Sequence, residues 1–202
     1  MNDPNNPRYK KLKKIRDELL HFKESPLYTY RTENNYHPVV GEGSHYAKIM
    51  FIGEAPGETE AKQARPFCGA AGRVLDELLH SIGLSRETVY ITNLVKDRPP
   101  DNRDPLPAEV DLYAPFLDRQ IEIIQPHCIT TLGRHSMTYI MNTYGLADEL
   151  KSISAIHGKT FSLRAFDTEM TYIPLYHPAV VLYSFTMKKV LMEDFQTLKL
   201  FL

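Results

Sequence analysis

Three residues far apart in this chain combine into a coherent piece of chemistry: Glu54, Asn93 and His177. Each stands at the end of an apolar run. Glu54 follows Ile49 to Ile52 in the turn Gly53-Glu-Ala-Pro-Gly57, Asn93 lies near the end of Val89 to Val95, and His177 follows Met170 to Leu175 in Tyr176-His-Pro-Ala179. A carboxylate can orient or deprotonate water and balance a developing positive charge. An amide offers a donor and an acceptor in one plane, and an imidazole can donate to a developing anion. Such a set suits recognition of a small planar polar ring and cleavage of a bond on it.

The elements that must position these residues follow from the pattern. Ile49 to Ile52 is an uninterrupted apolar run of strand length, consistent with burial on both faces of a parallel sheet. Gly53 and Gly57 let the backbone bend, while Pro56 forbids regular continuation. Val89 to Val95, Cys128 to Leu132 and Met170 to Leu175 are the other strands, and an antiparallel excursion is expected within 151–168. Helices are expected over 8–24, with Leu12, Ile15, Leu19 and Phe22 on one stripe, over 70–82, over 107–124, from Arg134 to about Tyr144, and from Met187 onward. Residues 27–47 and Glu58 to Phe67 read as irregular, and Lys96 to Pro107 as a proline-rich loop. The alternation implies an α/β fold, a three-layer αβα sandwich with a mostly parallel central sheet. The carboxyl ends of parallel strands lie on one edge, so Glu54, Asn93, Gly133 and His177 should converge there.

With 202 residues, 43% apolar and 24% charged, the expectation is one domain over 1–202, residues 1–26 packing on it as an N-terminal helix. No run approaches the roughly 18 apolar residues of a membrane span, and the start MNDPNNPRYKK lacks the apolar core of a secretory signal, so a cytoplasmic protein without a membrane partner is expected. A monomer is expected. Cys68 and Cys128 form no metal-ligand spacing, which argues against a zinc site. The net charge of −1 leaves any nucleic-acid footprint to local clusters. Arg8, Lys10, Lys11, Lys13, Lys14 and Arg16 make one; Lys96, Arg98 and Arg103 make another.

Several motifs in order carry a family resemblance: Val40-Gly-Glu-Gly43, Gly53-Glu-Ala-Pro-Gly57, Arg65-Pro-Phe67 with Gly69 and Gly72, Thr92-Asn93, Arg98-Pro-Pro with Asn102, Arg103 and Pro105, Leu132-Gly133, and His177-Pro-Ala179. The chain resembles a family 4 uracil-DNA glycosylase across roughly residues 25 to 198. The resemblance implies an enzyme that hydrolyses the N-glycosidic bond of uracil in DNA and leaves an abasic site. One departure is large. Aligning the motifs puts the four iron–sulfur cysteines of that family at Phe22, Ser25, Asp97 and Tyr113, none of which supplies a thiolate. A member without the cluster and without any other cofactor is therefore expected, its corner held by packing, with Phe22 and Tyr113 filling the volume.

The resemblance also implies roles. Asn93 would read the N3–H and O4 edge of uracil, Phe67 would stack on the base, and the backbone amides of Ala55 and Gly57 would contact it. His177 would donate to O2 as negative charge collects on the leaving base, and Glu54 would act on water or on the cationic sugar. Glu54 lacks a second carboxylate beside it, because Ala55 follows. Val181, Leu182 and Tyr183 would wedge into the duplex, while Arg98, Arg103 and Lys188 with Lys189 would contact phosphates. The competing classes are a non-catalytic module binding DNA or a nucleobase through the same pocket, and a glycosylase for another deaminated base.

Overall fold

The computed structural model describes residues 6–202. Residues 1–5, the start of the expected N-terminal helical segment, lie outside the described residues. Six strands form one sheet: β1 (Glu42–Gly43), β2 (Ile49–Gly53), β3 (Tyr90–Asn93), β4 (Cys128–Leu132), β5 (Phe161–Ala165) and β6 (Thr168–Leu175), in the order β1-β3-β2-β4-β6-β5. The four inner strands are parallel, while β1 and β5 close the two edges antiparallel. β5 is the antiparallel excursion expected within 151–168; it pairs with β6, the expected last strand, across a turn at Phe166 and Asp167.

The alternation of side chains along β2 divides the core in two. Met50 and Ile52 face one layer, packed with Leu12, Ile15 and Leu19 of α1 (Pro7–Leu20), Leu27 of α2 (Leu27–Glu33), Leu117 and Ile121 of α5 (Pro107–Ile124), and Ile140 of α6 (Arg134–Thr143). Ile49 and Phe51 face the other, packed with Leu75, Leu78 and Leu79 of α4 (Ala70–Ser81) and with Leu191 and Phe195 of α9 (Thr186–Gln196). Three layers result, as the pattern implies.

Several stretches depart from the sequence reading, among them β1 within 27–47, α7 (Ile153–Ile156) within 151–168 and α8 (Val180–Tyr183) ahead of Met187. Residues 27–33 form α2 rather than loop, because its inward face is Leu27 together with Arg31, a buried cation that apolar periodicity does not register. Glu58–Gln63 forms a helix, α3, in which Ala61 is the one buried residue and a Lys62–Glu58 pair spans a turn at 2.6 Å. The N-terminal helix stops at Leu20. Phe22 lies beyond it, its ring 5.5 Å from that of Tyr113 and 5.1 Å from that of Phe116. The last two helices, α8 (Val180–Tyr183) and α9, follow α7 (Ile153–Ile156) in the chain and carry the segment beyond His177.

Candidate active site

Register brings the expected residues together. Gly53 on β2 is paired with Asn93 on β3, so Glu54 begins its turn beside the Asn93 side chain. Beyond the pairing, Leu94 N donates to Gly53 O and Val95 N to Glu54 O, both at 2.9 Å, which holds the two strand ends together. A cavity of about 400 Å³ opens here, lined among others by Glu54, Ala55, Gly57, Phe67, Asn93 and His177. That volume falls in the range of small-molecule sites, about 300–1,000 Å³. The structure thus assembles in one pocket the six residues expected to act on or bind the base.

Asn93 forms the floor. It is 1% exposed, and its Oδ1 is one of three buried side-chain atoms among the described residues without a hydrogen-bond partner; of the three, it alone borders the pocket. Leaving such an atom unpaired costs about 1–3 kcal/mol, so the site is complete only when something donates to it. Gly53 lies directly behind. A Cβ there would stand 2.3 Å from Asn93 Oδ1 and 2.6 Å from two ring carbons of Phe67, so the absence of a side chain makes room for both.

Phe67 is held in an unfavourable backbone state, at φ +49°. Such a conformation costs on the order of 1–3 kcal/mol and persists when its surroundings over-determine it. Here Arg86 donates to Phe67 O at 2.9 Å and to Pro66 O, while Glu60 accepts from Cys68 N at 2.9 Å and Gly69 N at 2.7 Å. Arg86 is fixed in turn by Glu42 and Asp76. Gly72 permits the close approach of α4, since a Cβ there would overlap Phe67 O at 1.7 Å. The ring ends up 5.5 Å from the His177 ring, tilted by 33°.

His177 accepts a hydrogen bond on Nδ1 from Ala179 N at 3.2 Å. An Nδ1 that accepts carries no proton, so the neutral ring bears its hydrogen on Nε2. Burial pushes the imidazole pKa down to about 4, partly opposed by Glu60. At neutral pH this is an uncharged donor.

Glu54 has company that the sequence does not reveal. His135 Nε2 lies 3.7 Å from Glu54 Oε2 and 3.2 Å from Asp104 Oδ2, and Arg134 pairs with Asp104. Burial raises the Glu54 pKa, His135 opposes that shift, and Asp104 adds to it. The three acidic and imidazole groups bring ligand atoms within 4.8 Å of one another, the one such cluster among the described residues. With the Arg134 guanidinium already bonded to Asp104, a cation is supplied by the chain itself.

Of the expected phosphate-binding residues, Arg98, Arg103 and Lys188 are already paired within the fold, whereas Lys189 stays 85% exposed, 3.8 Å from Glu193. Lys96 is fully buried, which removes it from the basic surface cluster. Arg98, 8% exposed, bonds Tyr36 OH at 2.7 Å, Tyr30 OH at 3.3 Å and Asn102 Oδ1 at 2.8 Å, and so sets the loop that lines the pocket with Asn102 and Arg103. Arg103 makes a two-pronged pair with Glu109 at 2.6 and 2.8 Å, and Lys188 pairs with Glu77 at 2.6 Å. Past His177, Val181 is partly packed on the core, whereas Leu182 is 51% and Tyr183 88% exposed. Phe185, missed in the sequence, is exposed to a similar degree at 84%.

The four positions aligned with cluster cysteines meet in space. Tyr113 OH donates to Asp97 Oδ2 at 2.5 Å and also lies 2.7 Å from Ser25 Oγ; Phe22 packs edge-on against the Tyr113 ring. Arg31 bonds both Asp97 oxygens, at 3.0 and 2.9 Å, and also Leu19 O and Leu20 O. A carboxylate, a phenol, a hydroxyl and a phenyl ring do not fit an iron–sulfur cluster, whose ligands are thiolates. Packing of Phe22 on Tyr113 agrees with the sequence reading, but a buried ion pair and its hydrogen bonds also hold this corner, which packing alone did not anticipate.

A mostly parallel αβα sheet with an amide, an imidazole donor and a carboxylate around one pocket has the make-up of a hydrolase site that holds a small planar ring. Comparison with known proteins agrees. The Uracil DNA glycosylase superfamily matches residues 40–198. The chain is similar to the type-4 uracil-DNA glycosylase of Sulfurisphaera tokodaii, 46% identical over 93% of this chain and 83% of that one. It is also similar to that of Saccharolobus solfataricus, at 45% over 92% and 83%, and to that of Archaeoglobus fulgidus, at 44% over 83% and 82%. The chain belongs to the uracil-DNA glycosylase superfamily, with these type-4 enzymes as its relatives.

Proposed function

We propose that this protein excises uracil from DNA by hydrolysing the N-glycosidic bond, leaving an abasic site for repair. The observation that carries the reading is the unpaired Asn93 Oδ1 in the floor of the pocket. Uracil N3–H would donate to it while the amide nitrogen donates to O4. Cytosine presents an acceptor at N3 and a donor at C4, so each wrong contact costs about 1–3 kcal/mol. Phe67 stacks on the ring, and Ala55 and Gly57 line its edge. A flipped nucleotide is required, because an atom inside the duplex cannot reach a pocket of this kind.

In the bond-breaking step, the C1′–N1 electron pair leaves with the base and the sugar becomes cationic. His177 Nε2–H donates to uracil O2 as charge collects there, and a neutral donor is matched to that anion without first having to lose a proton. Glu54, ionised, stabilises the cationic sugar and orients the water that adds to C1′; the water proton passes to the carboxylate. Leu182 and Tyr183, exposed in the short helix that follows His177, would fill the gap left in the stack, with Val181 as their packed base. Arg98 and Arg103 shape the loop at the rim, and Lys188 of α9, paired with Glu77, would exchange that partner for a phosphate on binding DNA. The working form in this reading is a cytoplasmic monomer acting on uracil-containing DNA.

The test is incubation with an oligonucleotide bearing one uracil, then alkali. Strand scission at the uracil is expected, with Asn93→Ala, His177→Ala and Glu54→Ala each slower by about a hundredfold or more. Tight binding without scission at any protein concentration would instead make the protein a binding module.

A further inference from the structure

Directly beneath the base-reading residue lies a lysine that the chemistry above does not use. Lys96 is fully buried, yet its Nζ is within hydrogen-bond distance of Asn93 O at 2.5 Å, Gln120 Oε1 at 2.6 Å and Thr92 Oγ1 at 2.8 Å. Asn93 O can only accept. Gln120 presents its oxygen to Lys96, because its amide nitrogen donates to Val40 O at 2.8 Å and Tyr90 OH at 3.2 Å. The Thr92 hydroxyl proton is directed at Val40 O at 2.7 Å or at Gln120 Oε1 at 3.2 Å, and either choice turns a lone pair toward Nζ. Three acceptors therefore face one nitrogen. An ammonium has three hydrogens to give and a neutral amine only two, so the neutral form would set a lone pair against an oxygen.

Burial alone drives the Lys96 pKa well below that of a free lysine, with Asp118 pulling the other way. The hydrogen-bond count decides for the charged form, since three good acceptors stabilise the cation that burial penalises. All three contacting groups are neutral, so no contacting carboxylate cancels the charge.

We infer that Lys96 is a positioning residue that also acts electrostatically, as a buried ammonium that pins the Asn93 backbone and favours negative charge on the departing base. The inference rests on the uracil-excision reading. The structure supplies a cation held against the main chain of the residue that floors the pocket, shielded from water and fixed before the reaction begins. A charge so placed acts on whatever negative charge grows in the pocket, and that charge is greatest in the transition state. Fixing the Asn93 carbonyl also fixes the strand end from which the amide projects.

The leaving group provides the test. Fluorine at C5 makes the base a better anion, so 5-fluorouracil depends less on outside stabilisation than uracil does. Single-turnover excision of both bases is measured from the same oligonucleotide with the parent, with Lys96→Met, and with Gln120→Glu. The second variant keeps the lysine and sets a carboxylate against it, so it serves where Lys96→Met does not fold. Uracil excision is expected to slow by about tenfold or more in either variant, and 5-fluorouracil excision by clearly less. Equal slowing of the two bases, whatever its size, or no slowing in a folded variant, overturns the inference and marks Lys96 as structural only. A parent that excises neither base instead sinks the proposed function, and the inference with it.

Discussion

Replacing Gly53 with alanine isolates the geometry of the pocket with one methyl group. The backbone there is not in the left-handed region, so the substitution acts through sterics rather than through strain. The new Cβ would meet Asn93 Oδ1 at 2.3 Å and the Cε2 and Cζ of Phe67 at 2.6 Å, where ordinary contact begins at 3.4 Å. Both side chains must retreat by about 1 Å, and a displacement of that size costs catalysis about a hundredfold, near 2.7 kcal/mol. Phe67 has little freedom to absorb the push, because Arg86, Glu60 and Gly72 already fix the segment that carries it. Overpacking should cost about 1–3 kcal/mol of stability, less than the typical total for a domain, so the protein should still fold.

Single-turnover excision and a thermal melt on one sample read the two effects apart. A folded Gly53→Ala protein within threefold of the parent rate would mean that Asn93 and Phe67 do not hold the base, and the assignment of the pocket would fail.

Four other outcomes follow from the same structure. The rate should be level near neutral pH and fall on acidification through the Glu54 pKa, which burial raises above 4.5, with a second loss only near pH 4 where His177 gains its proton; residual activity of Glu54→Gln should lack the first limb in a pH–rate profile. For stability the sign is the same: unfolded histidine binds a proton near pH 6.5 and His177 near 4, so this group lowers stability as pH falls between those values and is neutral above them, as acid melts would register. Asp97→Asn should lower stability by about 3 kcal/mol in denaturant titration by leaving Arg31 buried without its counter-charge, whereas Arg31→Met combined with Asp97→Leu should cost less than the single change. Tyr183→Ser, at a side chain 88% exposed, should leave stability within about 0.5 kcal/mol while slowing excision from duplex DNA more than from single strands.

Much of the pocket was legible because its residues stand at strand ends, and an apolar run followed by a turn needs no tertiary information to be read. Asn93 and Glu54 meet because β2 and β3 are parallel neighbours, and His177 joins them from β6 across β4 on the same sheet edge. What stayed hidden shares one cause. Residues 27–33 and 58–63 are short helices anchored by one or two inward side chains, one of them an arginine, so neither displays a stripe. Arg86 and Glu60 hold Phe67 by bonding backbone atoms, 19 to 20 and 8 to 9 positions away in the chain, and no spacing rule marks a bond of that kind. Asp104 reaches Glu54 from a loop and His135 from the first turn of α6, so the single carboxylate of the motif is not alone in space.

Charge was the property that the sequence described least well, because a count of cations says nothing of what each one already touches. Lys96, Arg98 and Arg103 read as one basic loop, yet the first is buried under Asn93, the second is turned onto two tyrosine hydroxyls, and the third is paired with Glu109. Arg31, in a stretch that read as irregular, pairs with Asp97 at the corner where the motif alignment placed cluster cysteines. These residues bind the strand-end loops to the sheet and to the N-terminal helices rather than offering a free charge to phosphate. The same internal bonding gives a small pocket the rigidity its chemistry requires, since an amide discriminates between two pyrimidines only if it cannot rotate or retreat. In the proposed reading, Lys96, Arg98 and Arg103 would thus serve base selection through the framework they tie down, leaving phosphate contacts to exposed cations such as Lys189.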